Sequence, residues 1–70
     1  MKFENWLKEN MSITTDEFAK AVGVSRPSVS AWLNGRSFPH VQVWNKIAKW
    51  VSDEQGRELS DVLIEMYKLT

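Results

Sequence analysis

Thr14-Thr15-Asp16-Glu17-Phe18-Ala19-Lys20-Ala21-Val22-Gly23-Val24-Ser25-Arg26-Pro27-Ser28-Val29-Ser30-Ala31-Trp32-Leu33-Asn34-Gly35-Arg36 decides the fold of this chain, because helix starts and stops follow one another closely in it. Glu17 stands three residues after Thr14, the capping-box spacing, in which each side chain bonds the other residue's backbone N–H. Ile13 and Phe18 flank the cap as a hydrophobic staple. Asp16 and Glu17 suit the positive end of a helix. The spacing predicts a helix over Thr15 to Val22 that buries Phe18, Ala19 and Val22. Gly23 stops it, because glycine takes the left-handed conformation at little cost. Only Val24 separates Gly23 from the next cap, Ser25. Arg26 and Pro27 open the following helix, where a proline loses no helical partner. Val29, Trp32 and Leu33 form its apolar stripe, and Asn34-Gly35 closes it.

Working outward, the periodicity stays helical. Phe3, Trp6, Leu7 and Met11 predict a first helix over about residues 2–10. Pro39 precedes a helix from about His40 to Glu54, with Val43, Trp44, Ile47, Ala48 and Val51 inward and Lys46 and Lys49 outside. Gly56 stops it. Leu59 and Ser60 read as a second staple and cap for a last helix over about Asp61 to Leu69. Its stripe is Leu59, Val62, Leu63, Met66 and Leu69. No strand pattern of useful length is present. The fold class is therefore all-α, a compact five-helix domain, and 70 residues of 8.1 kDa bound it to one domain, residues 1–70.

Composition excludes much. Hydrophobic residues are 43 % and charged residues 26 %, a globular balance rather than a disordered one. There is no cysteine, which removes disulfides, thiolate metal sites and a cysteine nucleophile. A lone histidine, His40, builds no histidine metal cluster and reads as a plain surface residue. No hydrophobic run exceeds three residues, so neither a membrane span nor a signal-peptide core is expected. The expected setting is the cytoplasm. No nucleophile–base set, paired acids or glycine-rich phosphate loop points to an enzyme, and no cofactor is implied.

Formal net charge is zero, with nine basic and nine acidic residues. Their distribution is uneven. Phe18 to Ser52 contains no acid but holds Lys20, Arg26, Arg36, Lys46 and Lys49. After Ser52, five acids face two bases, a balance of minus three. Local potential governs association with phosphate, not the total.

Two short helices joined by a glycine turn have the spacing of a helix-turn-helix. Small Ala19 lets the second helix cross close over the first, and Val24, Val29 and Trp32 lock the pair. Ser25, Arg26, Pro27, Ser30, Ala31 and Asn34 then lie away from the apolar stripe. That face holds no acid and no bulky apolar residue, which suits the major groove of double-stranded DNA.

The run Thr14-Thr15-x-x-Phe18-Ala19-x-x-Val22-Gly23-Val24-Ser25-Arg26-Pro27-Ser28-Val29-Ser30-x-Trp32-Leu33-Asn34-Gly35-Arg36, followed by Pro39, resembles the Cro and lambda-repressor-like helix-turn-helix family, also called the XRE family. The resemblance implies a DNA-binding repressor or regulator of bacterial or phage origin, associated with the nucleoid and bound to a near-palindromic operator as a homodimer. It assigns base reading to Arg26, Pro27, Ser30 and Ala31. It assigns backbone contacts to Thr15, Ser25, Asn34, Arg36 and Ser37. Pro27 and Ala31 have no side-chain donor, so polar readout rests on Arg26, with thymine-methyl contacts beside it.

Trp6, Trp32, Trp44 and Trp50 read as core filling, with Trp50 partly exposed. Met66 and Tyr67 are open between core and dimer contact. The competing reading is an antitoxin-like or adaptor module that binds a protein partner through its acidic C-terminal part.

Overall fold

The structure, a computed structural model, describes residues 1–69. Its five helices are α1 (Phe3–Asn10), α2 (Thr15–Val22), α3 (Arg26–Leu33), α4 (Val41–Gln55) and α5 (Leu59–Tyr67), with no strand among the described residues. The all-α expectation holds, and α2 has the bounds read from its caps. Thr14 and Glu17 complete the reciprocal capping box, each backbone N–H meeting the other side chain at 3.2 Å. The bonds from Thr14 hold the Glu17 carboxyl below its usual range.

Gly23 ends α2 at φ 81°, and its N–H bonds the Ala19 carbonyl at 2.9 Å. A Cβ at Gly23 would meet no heavy atom within 4 Å. Gly23→Ala is therefore expected to cost only its left-handed backbone strain, about 1–2 kcal/mol. The check is a lower urea midpoint with an unchanged slope.

Helix α3 closes in a two-bond Schellman arrangement. The Arg36 N–H reaches the Ala31 carbonyl at 2.9 Å and the Gly35 N–H reaches that of Trp32 at 3.2 Å. Gly35 lies at φ 71°, and a Cβ there would run into the Glu4 carboxylate. Helix α1 thus packs directly beneath the loop that leaves α3.

The core draws on every helix. Phe3, Trp6 and Leu7 come from α1; Phe18, Ala19 and Val22 from α2; and Val29 and Trp32 from α3. Ile47, Ala48 and Val51 of α4 meet Val62 and Met66 of α5. Helices α2 and α3 pack on each other, α1 covers α3, and α4 bridges α2 to α5. Trp50 is half-buried, as expected, and sets its ring edge-on to Phe18 at 5.1 Å. Trp44 and Leu63 are also only half-buried.

The last helix departs from the sequence reading. It starts at Leu59, not Asp61, and ends at Tyr67. The Glu58 carbonyl accepts from Asp61 and Val62, so Ser60 lies inside the first turn and does not cap it. Winding from there puts Val62 and Met66 inward, one turn apart, and leaves Leu59 41 % exposed. Leu59 therefore leaves the expected stripe, and Met66, open between core and dimer contact in the sequence, is fully buried in the core.

Glu65 ties α5 to the rest. One oxygen accepts from the Trp6 indole at 2.6 Å and the other from Arg57, also at 2.6 Å. The Arg57 bond first, and the Trp6 bond second, hold its carboxyl below the ordinary carboxylate range. A carboxylate with its pKa lowered by folding stabilises fully above its unfolded value, about 4.3. The contribution is lost as pH falls through the lower folded value. Glu65→Gln is thus expected to flatten the fall of the thermal midpoint as pH drops from about 4.3 towards the lower folded value. An equally steep fall in the variant would contradict this.

Candidate nucleic-acid interface

Ser25 caps α3. Its hydroxyl accepts the Ser28 N–H at 3.3 Å and shares a 2.8 Å hydrogen bond with the Ser28 hydroxyl. The cap pins the first turn of α3, and Arg26 and Pro27 project from that turn. Helical spacing puts Arg26 beside Ser30 and Pro27 beside Ala31. Ser25, Arg26, Pro27 and Ser30 are exposed, and Ala31 is half-buried at the edge of the face. Val29 and Trp32 point the other way, into the core. The structure therefore brings the four candidate base-reading residues onto one outward surface.

The candidate backbone residues flank that surface in sequence. The Asn34 amide donates to the Ser30 carbonyl at 3.0 Å, covering the end of α3. Arg36 and Ser37 are exposed on the loop that follows, and the Arg36 backbone bond to Ala31 fixes the root of that side chain to α3. Thr15 is half-buried at the first position of α2.

The ion pairs divide the cations into two sets. Lys20 pairs with Asp16 at 3.5 Å and Lys49 with Asp53 at 3.6 Å, each within its own helix and exposed. Such pairs contribute little stability, but they lower the local positive potential. Arg57 pairs with Glu65. Among the described residues, Arg26 and Arg36 have no carboxylate within pairing distance. Helix α3 carries no acid at all. Lys2, Lys8, Lys46 and Lys68 have no such pair either, so what sets α3 and the loop after it apart is that Arg26 and Arg36 lie in a stretch of sequence without an acid, while Lys20, Lys46 and Lys49 line a shallow groove beside Asp53. Lys46 and Lys49 remain on an exposed face, as read from the sequence.

One residue of interest escaped the sequence reading. Lys2 lines a cleft with Phe3, Glu4, Trp32, Gly35, Ser37 and Phe38, which brings its positive charge, together with the opposite charge of Glu4 against Gly35, beside the candidate backbone loop. Nothing in the spacing signals this, because it depends on α1 docking against α3.

No described helix is long and apolar enough to cross a membrane. Comparison with curated proteins and with solved structures returned no match. A helix-turn-helix family model matches residues 6–49, which takes in most of α1, all of α2 and α3, and much of α4. With capped α2, a left-handed glycine and the acid-free face of α3 inside that span, the chain belongs to the XRE type of the helix-turn-helix family, a family of DNA-binding domains and not of enzymes.

Proposed function

We propose that residues 1–70 act as a single sequence-specific DNA-binding domain of a transcriptional regulator, a small Cro-type repressor that occupies a near-palindromic operator as a homodimer. It works on the nucleoid of a bacterial or phage-infected cell. Helix α3 enters the major groove. Arg26 reads a base through its planar fork, which matches the two acceptors of guanine. Pro27, Ser30 and Ala31 follow it along the groove and offer small apolar and hydroxyl contacts. Thr15, Ser25, Asn34, Arg36 and Ser37 grip the backbone on either side and set the register. The observation that carries this reading is the exposed first turn of α3, where Arg26 stands without a carboxylate partner at the end of the helix that disfavours a cation.

Selection of bound duplexes from random DNA tests it. The expected yield is a two-fold related sequence whose half-site centres lie about 10–10.5 base pairs apart. A selection that enriches nothing would sink the reading. The adaptor reading, with a protein partner on the acidic C-terminal part, predicts no salt-dependent DNA complex.

A further inference from the structure

Phe18 to Ser52 holds no acid, yet the fold carries one into the middle of that stretch. Glu4, in the first turn of α1, lays its carboxylate against Gly35. Gly35 stands between Asn34 and the Arg36–Ser37 pair, the residues proposed to grip the DNA backbone. Glu4 is half-buried and lines one cleft with Trp32, Gly35 and Ser37. Among the described residues, no lysine or arginine lies within pairing distance of it. Lys2 lines the same cleft, but its side chain is exposed and forms no ion pair, so the carboxylate keeps its negative field. The positive end of α1 favours an acid in its first turn. That preference does not account for a carboxylate pressed onto the exit loop of α3. A phosphate held on this loop meets a like charge, and like charges repel.

We infer that Glu4 is a built-in brake on the phosphate grip, a residue of α1 that lowers the affinity of the Asn34–Ser37 loop for the DNA backbone. The inference rests on the DNA-binding reading and adds to its contacts a residue of opposite sign. Packing on Gly35 holds the carboxylate at the loop, whereas a fully exposed acid would swing away into solvent. The repulsion acts on any phosphate placed there, whatever the base pairs. Glu4 therefore sets the overall affinity and its salt dependence, and it leaves base preference to Arg26 and its neighbours on α3. Salt weakens the brake, because the screening length falls from about 30 Å at 0.01 M to about 8 Å at 0.15 M.

The test compares the wild type with Glu4→Gln, which keeps the length and shape of the side chain and removes its charge. Glu9→Gln is the control. It changes the net charge equally and lies on the same helix, but Glu9 is exposed beside Trp6, Asn10 and Lys68. Each protein is titrated onto a selected duplex and a random duplex, starting at about 0.01 M salt. Glu4→Gln is expected to bind both duplexes about three- to tenfold tighter than the wild type, with the gain shrinking as salt rises. Glu9→Gln should stay within about twofold of the wild type. The thermal midpoint of Glu4→Gln should not rise, since α1 loses a favourable acid, so better folding is not the source of the gain. A Glu4→Gln no tighter than the wild type, a gain matched by Glu9→Gln, or a gain on the selected duplex alone would overturn the inference. Should neither duplex bind any of the three proteins, the DNA-binding reading fails by itself. Inorganic pyrophosphate titrated into the labelled chains then decides the brake. Amide shifts at Gly35, Arg36 and Ser37 that half-saturate at a lower pyrophosphate concentration in Glu4→Gln support it, and equal midpoints or no shift at these amides overturn it.

Discussion

Arg26→Ala is expected to weaken operator binding by about 1–3 kcal/mol and to relax the preference at one base pair in each half-site. The side chain leaves the first turn of α3, the part of a recognition helix that reaches base edges. Its neighbours on the face, Pro27, Ser30 and Ala31, cannot replace a bidentate donor. Arg36→Ala should behave differently. It should weaken binding to all sequences alike and reduce the salt slope by about one. Fluorescence titrations of operator and random duplexes at several salt concentrations separate the two. An Arg26→Ala loss equal on both duplexes would make Arg26 a phosphate clamp and leave specificity to Ser30, Ala31 and DNA shape.

Phe18→Ala is expected to destabilise the domain by about 3–5 kcal/mol. Phe18 is fully buried, and its ring meets the edge of Trp50 across the α2–α4 contact. Removing it opens a cavity that helices tied by caps and a Schellman turn cannot readily close. A domain of this size has only roughly 4–10 kcal/mol in total, so the variant should lose much of its folded population on modest warming. Thermal unfolding followed by circular dichroism gives the number. A loss below about 1 kcal/mol would mean that the α2–α4 packing is not as described.

The parts of the fold set by local chemistry were legible. Thr14, Glu17, Gly23, Ser25 and Gly35 each act on backbone groups within a few residues, so spacing alone reveals α2, the turn and α3. The start of α5 was not. Ser60 has the chemistry of a cap, but the Glu58 carbonyl takes the first helical bonds. The burial of Val62 and Met66 is consistent with that register. The outward face of α3 was readable as what remained after Val29 and Trp32 were assigned inward. Lys2 was not, since it reaches the loop after α3 only through the docking of α1. Phe38 and Ile64 also escaped, because a large apolar residue carries no sign that it will stay exposed. The bond from Trp6 to Glu65 joins opposite ends of the chain, beyond the reach of any periodicity.

Backbone amide shifts, recorded while a selected duplex is titrated into the labelled chain, test most directly whether α3 is the DNA-contacting helix. The largest changes are predicted at the amides of Ser25, Arg26, Ser28–Ala31 and Asn34–Ser37, with a further set at the start of α2 around Thr15. Changes confined to α4 and α5, with α3 unmoved at saturation, would contradict it.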